Sequence, residues 1–162
     1  AFGGRTLHEL RAVLAEAEAS LTGGLSPRVA PMADIRDLGA LLQRAGLAMP
    51  VADTLTLTTS YPDLFALARD LRAVGETNAL AERLRRPTRR DLFEEANRLY
   101  STAFPAENGR VAATFELVFL TGWAPDESQP KPLRPGSANA RLAEALATKE
   151  RPAGDIATPR RD

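Results

Sequence analysis

The sequence predicts an α/β domain, and three observations carry that expectation. Stretches with apolar residues at three- and four-residue steps alternate with stretches whose apolar residues recur at every second position. Gly and Pro clusters stand between the two kinds of stretch and punctuate them. The long period-two stretch from Val111 to Trp123 becomes apolar on both faces toward its end, which argues for a strand covered by helices on two sides.

Composition narrows the function classes. At 162 residues the chain has the length of one domain with a sizeable core, and its 44% hydrophobic and 26% charged content is globular rather than disordered. Lys plus Arg and Asp plus Glu balance at 21 each, so nothing global attracts nucleic acid or an anionic membrane. Cysteine is absent, which excludes disulfides, thiolate metal sites and a cysteine nucleophile. His8 stands alone, so a histidine-rich metal site is out of reach. No apolar run approaches the ~18 residues of a membrane-spanning helix, and no signal peptide is visible. The opening Ala1-Phe2-Gly3-Gly4, without Met, reads as the tail of a strand, and the chain therefore as a fragment.

The first helix is expected from Thr6 to Leu21. Thr6 and Glu9 have the spacing of a capping box, and Leu7, Leu10, Leu14, Ala17 and Leu21 share a face. His8 on its first turn is a conceivable general base, but without a visible partner it is better read as surface. After Gly23, Gly24, Ser26 and Pro27 a second helix runs from about Asp34 to Ala45, with Ile35, Leu38, Leu41, Leu42 and Ala45 as its buried stripe and Gly46 as its stop. Asp34 and Asp37 are read as cap and dipole partners, not as an acid/base couple.

Val51 to Ser60 is a strand in which Leu55, Leu57 and Thr59 alternate with Thr54, Thr56 and Thr58. A threonine ladder can be an ice-like or glycan-binding face, and β-propensity explains it equally. The next helix has Pro62 in its first turn and Asp63 at its positive end; Leu64, Leu67, Ala68, Leu71 and Val74 form its apolar face, and Gly75 ends it in a left-handed cap. That cap delivers Glu76, Thr77 and Asn78 as a polar turn, which either lines a site or starts the next loop. Arg83, Arg85, Arg86, Arg89 and Arg90 cluster around Pro87 and read either as an anion clamp or as solvated helix flanks.

A further helix is capped by Thr88, with Asp91 three residues on, and passes through Leu92, Phe93, Ala96, Leu99 and Tyr100 to about Ala103. Glu107-Asn108-Gly109 is a turn, and the strand Val111 to Trp123 follows it. Trp123 is read as packing rather than stacking. Residues 1–124 form the folded part. From Pro125 to Asp162 the composition shifts to a Pro- and Arg-rich tail with a short helix, capped by Ser137, through Leu142 and Leu146.

Several of these stretches, in this order, carry a resemblance: Gly4 to Arg11, Ser26 to Gly46, Tyr61 to Asn78, Thr114 to Trp123, and Glu127-Ser128-Gln129. Together they resemble the C-terminal half of class I S-adenosylmethionine-dependent methyltransferases of the biotin-synthesis O-methyltransferase type, and most closely the mitochondrial complex I assembly factor 5 branch. The resemblance implies a seven-stranded sheet with a final antiparallel strand. Ala1 and Phe2 would end its fifth strand, Val51 to Ser60 would be the sixth and Val111 to Trp123 the seventh, while the helices of about residues 62–103 would form a substrate cap. It also implies S-adenosylmethionine as cofactor, held by motifs upstream, since no Gly-x-Gly loop follows a strand here.

Ligands of open α/β sheets sit beyond the carboxyl ends of the strands, which puts Gly4 and Thr6 on the rim of the site with Gly75, Glu76, Thr77 and Asn78 facing it and Arg72 beside them. No catalytic residue is assigned, because methyl transfer needs chiefly alignment and exclusion of water. The implied substrate is a protein or carrier-linked group, or a subunit modified during complex I assembly at arginine, by hydroxylation in that branch. The implied compartment is the bacterial cytoplasm or the mitochondrial matrix. The chain by itself is expected to be inactive. The rivals are a non-enzymatic assembly module that self-associates through an exposed sheet edge, and a small anion-binding domain using Arg83 to Arg90.

Overall fold

The computed structural model describes residues 1–129 and 142–149. It comprises a unit of Ala1–Pro125 and a second from Asp126 onward. The first unit holds α1 (His8–Thr22), α2 (Ile35–Arg44), β1 (Ala48–Tyr61), α3 (Leu64–Ala73), α4 (Arg90–Ala103) and β2 (Val111–Trp123). In the second, α5 (Leu142–Ala145) is the short helix expected there; Ser137 and the tail beyond residue 149 lie outside the described residues.

β1 and β2 pair antiparallel from Tyr61 opposite Val111 to Val51 opposite Thr121, and the register slips between Val51 and Ala48. On its other edge β2 takes two isolated antiparallel bridges, Pro105 to Val111 and Phe2 to Leu117, the second fastened by Gly3 N to Glu116 O at 2.8 Å and Val118 N to Ala1 O at 2.8 Å. β2 is thus central and antiparallel to both neighbours, and it is antiparallel as the resemblance implies for the final strand. This is the α/β arrangement that the sequence predicts, with its third strand reduced to one bridge.

The core is one cluster built from Leu10, Val13, Leu14 and Ala17 of α1, Leu64 and Leu67 of α3, Leu92, Ala96 and Tyr100 of α4, and the first residues of β2. Each helix contributes positions three or four apart, so every predicted apolar face here is real. Tyr100 is fully buried, and its hydroxyl donates to Ala112 O at 2.8 Å. Burial, and secondarily the charge of Glu9, pushes its phenol well above the usual tyrosine range.

Several local expectations are corrected. Thr6 and Glu9 form no capping box: Leu7, in the left-handed region at φ 53°, precedes α1, and no side chain caps the helix. The Thr6 hydroxyl instead donates to Glu116 O (3.3 Å) and accepts from Glu116 N (3.1 Å), while the Glu9 carboxylate accepts from Thr114 N (3.2 Å) and from the Thr114 hydroxyl. Pro62 lies outside α3, and Asp63 is the cap, accepting from Ala66 N at 2.7 Å. Thr88 does not cap α4, because its hydroxyl accepts from Arg28 Nη1 at 2.8 Å.

Burial also differs from the pattern. α2 has no buried residue, and Val74 is 73% exposed. The far half of β2, predicted to be covered on both faces, leaves Phe119 and Trp123 about half exposed, and Leu55 and Leu57 of β1 are as open. The helices α1, α3 and α4 pack over the Val111 end of β2, and their cover stops short of the other end.

The buried contact between Glu9 and Thr114 yields a test. Thr114→Val keeps the shape but removes the hydroxyl donor, leaving the carboxylate under-satisfied, and should cost about 1–3 kcal/mol in urea unfolding. Thr58→Val, on the exposed residue directly opposite, should stay within about 0.5 kcal/mol. Equal small losses at both positions would show that the Glu9 contact carries no stability.

Candidate functional site

The predicted site residues fall in three places. Gly4 and Thr6 belong to the turn between the Phe2 bridge and α1. Thr6 is 1% exposed and spends its side chain on β2, so it holds the turn in place rather than facing solvent. A Cβ on Gly4 would meet only Met32 O, at 3.6 Å, which leaves the position open. At Gly3 the space of the missing side chain is filled: a Cβ would lie 2.3 Å from Glu116 Oε2, and Arg5 N already donates to that oxygen at 3.1 Å. This glycine turn is therefore closed around a carboxylate of the chain itself.

Gly75, at φ 86°, caps α3, with its own N–H on Arg72 O and Glu76 N on Leu71 O at 2.8 Å. Glu76 and Thr77 are exposed. Asn78 acts as a tether: its Nδ2 donates to Pro27 O at 2.8 Å, and its Oδ1 accepts from Leu80 N at 3.1 Å. It lines a small cleft of about 230 Å³ with Arg28, Arg83 and Phe93. Arg72 lies on a separate groove of about 270 Å³ between α3 and α4, shared with Phe65, Arg69 and Phe93. Neither cleft is lined by Gly4 or Thr6, so the two groups of predicted residues do not converge on one cavity.

The sequence reading missed a knot of three residues. Glu18 on α1 accepts from Arg28 Nε (3.1 Å) and Nη2 (2.7 Å), a bidentate pair, and also from Ser26 N (2.9 Å) and the Ser26 hydroxyl (3.0 Å). With Arg28 also on Thr88, this one guanidinium joins α1 to the N-terminal end of α4. The knot forms one wall of a cleft of about 510 Å³ that Leu21, Leu25, Leu84, Arg86 and Asp91 also line. A signal was present. Glu18 stands four residues after Leu14 on the apolar stripe of α1, and a carboxylate there requires a partner. Ser26 lies in the first chain break and Arg28 directly follows it.

The arginine cluster disperses. Arg83 donates to Leu80 O, Arg89 pairs with Asp91, and Arg90 pairs with Glu94 at 2.8 Å, so these guanidiniums do not gather on one anion. His8 is half-exposed, beside Glu9 at 3.3 Å and edge-on to Phe104, with no nucleophile at hand. Among the described residues no group of three His, Cys, Asp or Glu could hold a metal.

An α/β arrangement whose last strand runs antiparallel between two neighbours, entered through a Gly-Gly turn, is consistent with the C-terminal part of a methyltransferase, and sequence comparison points the same way. The chain has homologues of two kinds, NDUFAF5 proteins and malonyl-[acyl-carrier protein] O-methyltransferases. It is 41% identical over 148 residues to the mitochondrial arginine-hydroxylase NDUFAF5 of Dictyostelium discoideum, covering 91% of this chain and 34% of that protein. To the same-named protein of Homo sapiens it is 38% identical over 143 residues, covering 88% of this chain and 41% of that protein. To the malonyl-[acyl-carrier protein] O-methyltransferase of Xylella fastidiosa (strain M23) it is 37% identical over 124 residues, covering 76% of this chain and 40% of that protein. The chain thus spans less than half the length of these curated relatives. No family model and no solved structure matches it.

The Glu18 knot predicts an acid dependence. Burial is the largest influence on this carboxyl and opposes its ionisation, but hydrogen bonds from Arg28 and Ser26 together outweigh burial and hold its pKa below the usual glutamate value. A depressed folded-state pKa stabilises above the unfolded value, and that contribution is lost as pH falls through the folded one. Stability should therefore decline on the acid side, and Glu18→Gln should flatten the decline in a series of urea midpoints against pH. Arg28→Met, which strands the carboxylate, should cost about 2–3 kcal/mol at neutral pH, allowing for residual exposure of the pair. An unchanged acid limb in Glu18→Gln would place the titration elsewhere.

Proposed function

We propose that this chain is the C-terminal, substrate-cap portion of an S-adenosylmethionine-dependent methyltransferase-like protein of the assembly-factor type, acting on a protein or carrier-linked substrate. The observation that carries this reading is continuity. Likeness to the NDUFAF5 relatives runs over 85–91% of the chain, against 76% for the Xylella O-methyltransferase. The cap would be α3 and α4, with Arg72 and the Gly75, Glu76, Thr77 and Asn78 turn toward the substrate. Gly4 would approach the substrate from the sheet side, and Thr6 would hold that turn to β2.

The described residues do not themselves fit the cofactor. At Gly3 the turn after the Phe2 bridge is filled by Glu116, and a Cβ on Gly122 would meet Leu47 at 2.9 Å, so neither of these two glycines leaves a cradle for it. The cofactor's site accordingly belongs, in this reading, to the part of the protein that the relatives have and this chain lacks. The name of the assembly-factor relatives points to arginine hydroxylation and that of the Xylella protein to methyl transfer to a carrier-bound acid, so a protein subunit is the favoured substrate and a carrier-linked carboxylate the alternative. No described helix is long and apolar enough to cross a membrane. The reading places the protein in the mitochondrial matrix of a eukaryote or the cytoplasm of a bacterium.

A second reading, a non-enzymatic assembly module, is favoured by one observation. The side chains of Val51, Leu55, Leu57, Phe119 and Trp123 are about half exposed along one sheet, and among the described residues β1 pairs only with β2, which leaves its other edge open there.

Calorimetric titration of S-adenosylmethionine into this chain, and into the chain extended through its natural upstream reading frame, separates the two. Binding by the extended form alone supports the enzyme reading; binding by neither supports the module. Binding by the present chain overturns the assignment of the cofactor site to other segments. The chain alone should also self-associate with rising concentration in sedimentation velocity. The double variant Leu57→Lys, Phe119→Lys should be monomeric, and a wild-type monomer at all concentrations counts against the adhesive sheet.

A further inference from the structure

The α3–α4 groove presents an unusual balance of charge. α3 carries Arg69 and Arg72 three residues apart on one face, a like-charge spacing that costs an isolated helix a few tenths of a kcal/mol. Its two acids are spent elsewhere: Asp63 caps the helix, and Asp70 bonds to Tyr61. The arginines of α4 contrast with this, since Arg90 is paired with Glu94 and Arg98 with Glu95. Arg69 and Arg72 form no ion pair among the described residues, and Glu76 lies beyond the Gly75 cap. The groove they border is floored by Leu64 and Ala68 and flanked by Phe65, which is 41% exposed, and Phe93; no carboxylate lines it.

We propose that the groove between α3 and α4 docks an acidic peptide segment of a partner protein, with one large apolar side chain of that segment seated between Phe65 and Phe93 and its carboxylates on Arg69 and Arg72. Charge complementarity selects the acidic partner, because two guanidiniums without local counter-charges gain most from carboxylates, which they can grip bidentately. Two phenyl flanks and an aliphatic floor select an apolar anchor, as in helix-in-groove and short-peptide recognition. A nucleic acid is the poorer fit. The whole chain is electrically balanced, and Arg83, Arg89 and Arg90 are turned to partners of their own.

The test uses the full chain and needs no cofactor, so it stands or falls apart from the methyltransferase reading. A short fluorescein-labelled peptide rich in Glu and Asp, with a central Leu-Phe pair, is titrated with the protein and followed by anisotropy. Arg69→Glu with Arg72→Glu should weaken binding about tenfold or more, and the Lys-rich version of the peptide should regain affinity for that variant. Phe65→Ala should weaken binding at constant salt dependence, since it removes the anchor and keeps the charges. Arg85→Glu with Arg86→Glu should leave binding within about twofold, as rim charges outside the groove. The proposal is overturned if the Arg85/Arg86 reversal weakens binding as much as the Arg69/Arg72 reversal. It is overturned equally if a single-stranded oligonucleotide displaces the peptide at matched charge, or if the peptide does not bind at all.

Discussion

The first turn of α1 has no side-chain cap, and the groups that could have capped it are bonded to β2. Thr6 exchanges two hydrogen bonds with the Glu116 backbone, Leu7 N donates to Thr114 O at 2.8 Å, and Glu9 takes two donors from Thr114. A free helix N-terminus leaves donors to solvent, and a capping box would have satisfied them locally for about 1 kcal/mol. Directing the same atoms across more than a hundred residues of chain converts a local gain into a tertiary one. It also fixes where α1 starts, which forces Leu7 into the left-handed region. α1 in turn carries Leu10, Val13, Leu14 and Ala17 into the core, so the packing of α4 and α3 depends on this docking.

The second tie works at the opposite end of α1. Glu18 and Arg28 form a two-pronged pair that Ser26 completes, and Arg28 passes the connection to Thr88 at the start of α4. A carboxylate on the buried stripe is expensive by itself, and the bidentate guanidinium together with two donors from Ser26 is what makes it tolerable. Asn78 adds a third connection on the same side by holding the turn after α3 to Pro27. The irregular segment after α1 is thus held from three elements, α1, α4 and the turn beyond α3, by polar contacts rather than by apolar burial.

These ties explain how far the sequence could be read. The helices and the two strands were legible because their apolar periods are strong and their stops are glycines: Gly23, Gly46 and Gly75 all take positive φ where the reading put a helix end or a stop. β2 begins and ends at Val111 and Trp123, as its alternation indicates. What was not legible is where the polar side chains near the helix starts would spend their hydrogen bonds. Thr6, Glu9 and Thr88 fit local capping rules, and each is claimed by a residue far away in sequence. Periodicity also cannot tell how much of an apolar face is covered. α2, the end of β2 beyond Val118 and the Leu55–Leu57 stretch of β1 have apolar patterns that suggest cover and yet bury no side chain.

The local structure around the candidate residues was legible, and the partners their side chains take were not. The Gly75 cap and the polar turn after it exist as read, but one member of that turn, Asn78, is occupied in holding the fold, and Thr6 is buried in the same service. A residue so engaged can still matter to function, because it sets the position of its neighbours. Gly4 stays open only while Thr6 anchors the turn that carries it, and Thr77 keeps its place only while Asn78 grips Pro27. The groups left without internal partners are therefore the informative ones for recognition. On α3 these are Arg69 and Arg72, which form no ion pair among the described residues and lie beside two aromatic rings, whereas most arginines of the Arg-rich segment have their own acceptors. Folding consumes hydrogen-bonding capacity wherever it can. What remains unconsumed, in a groove with an apolar floor, is where the binding of another molecule gains the most.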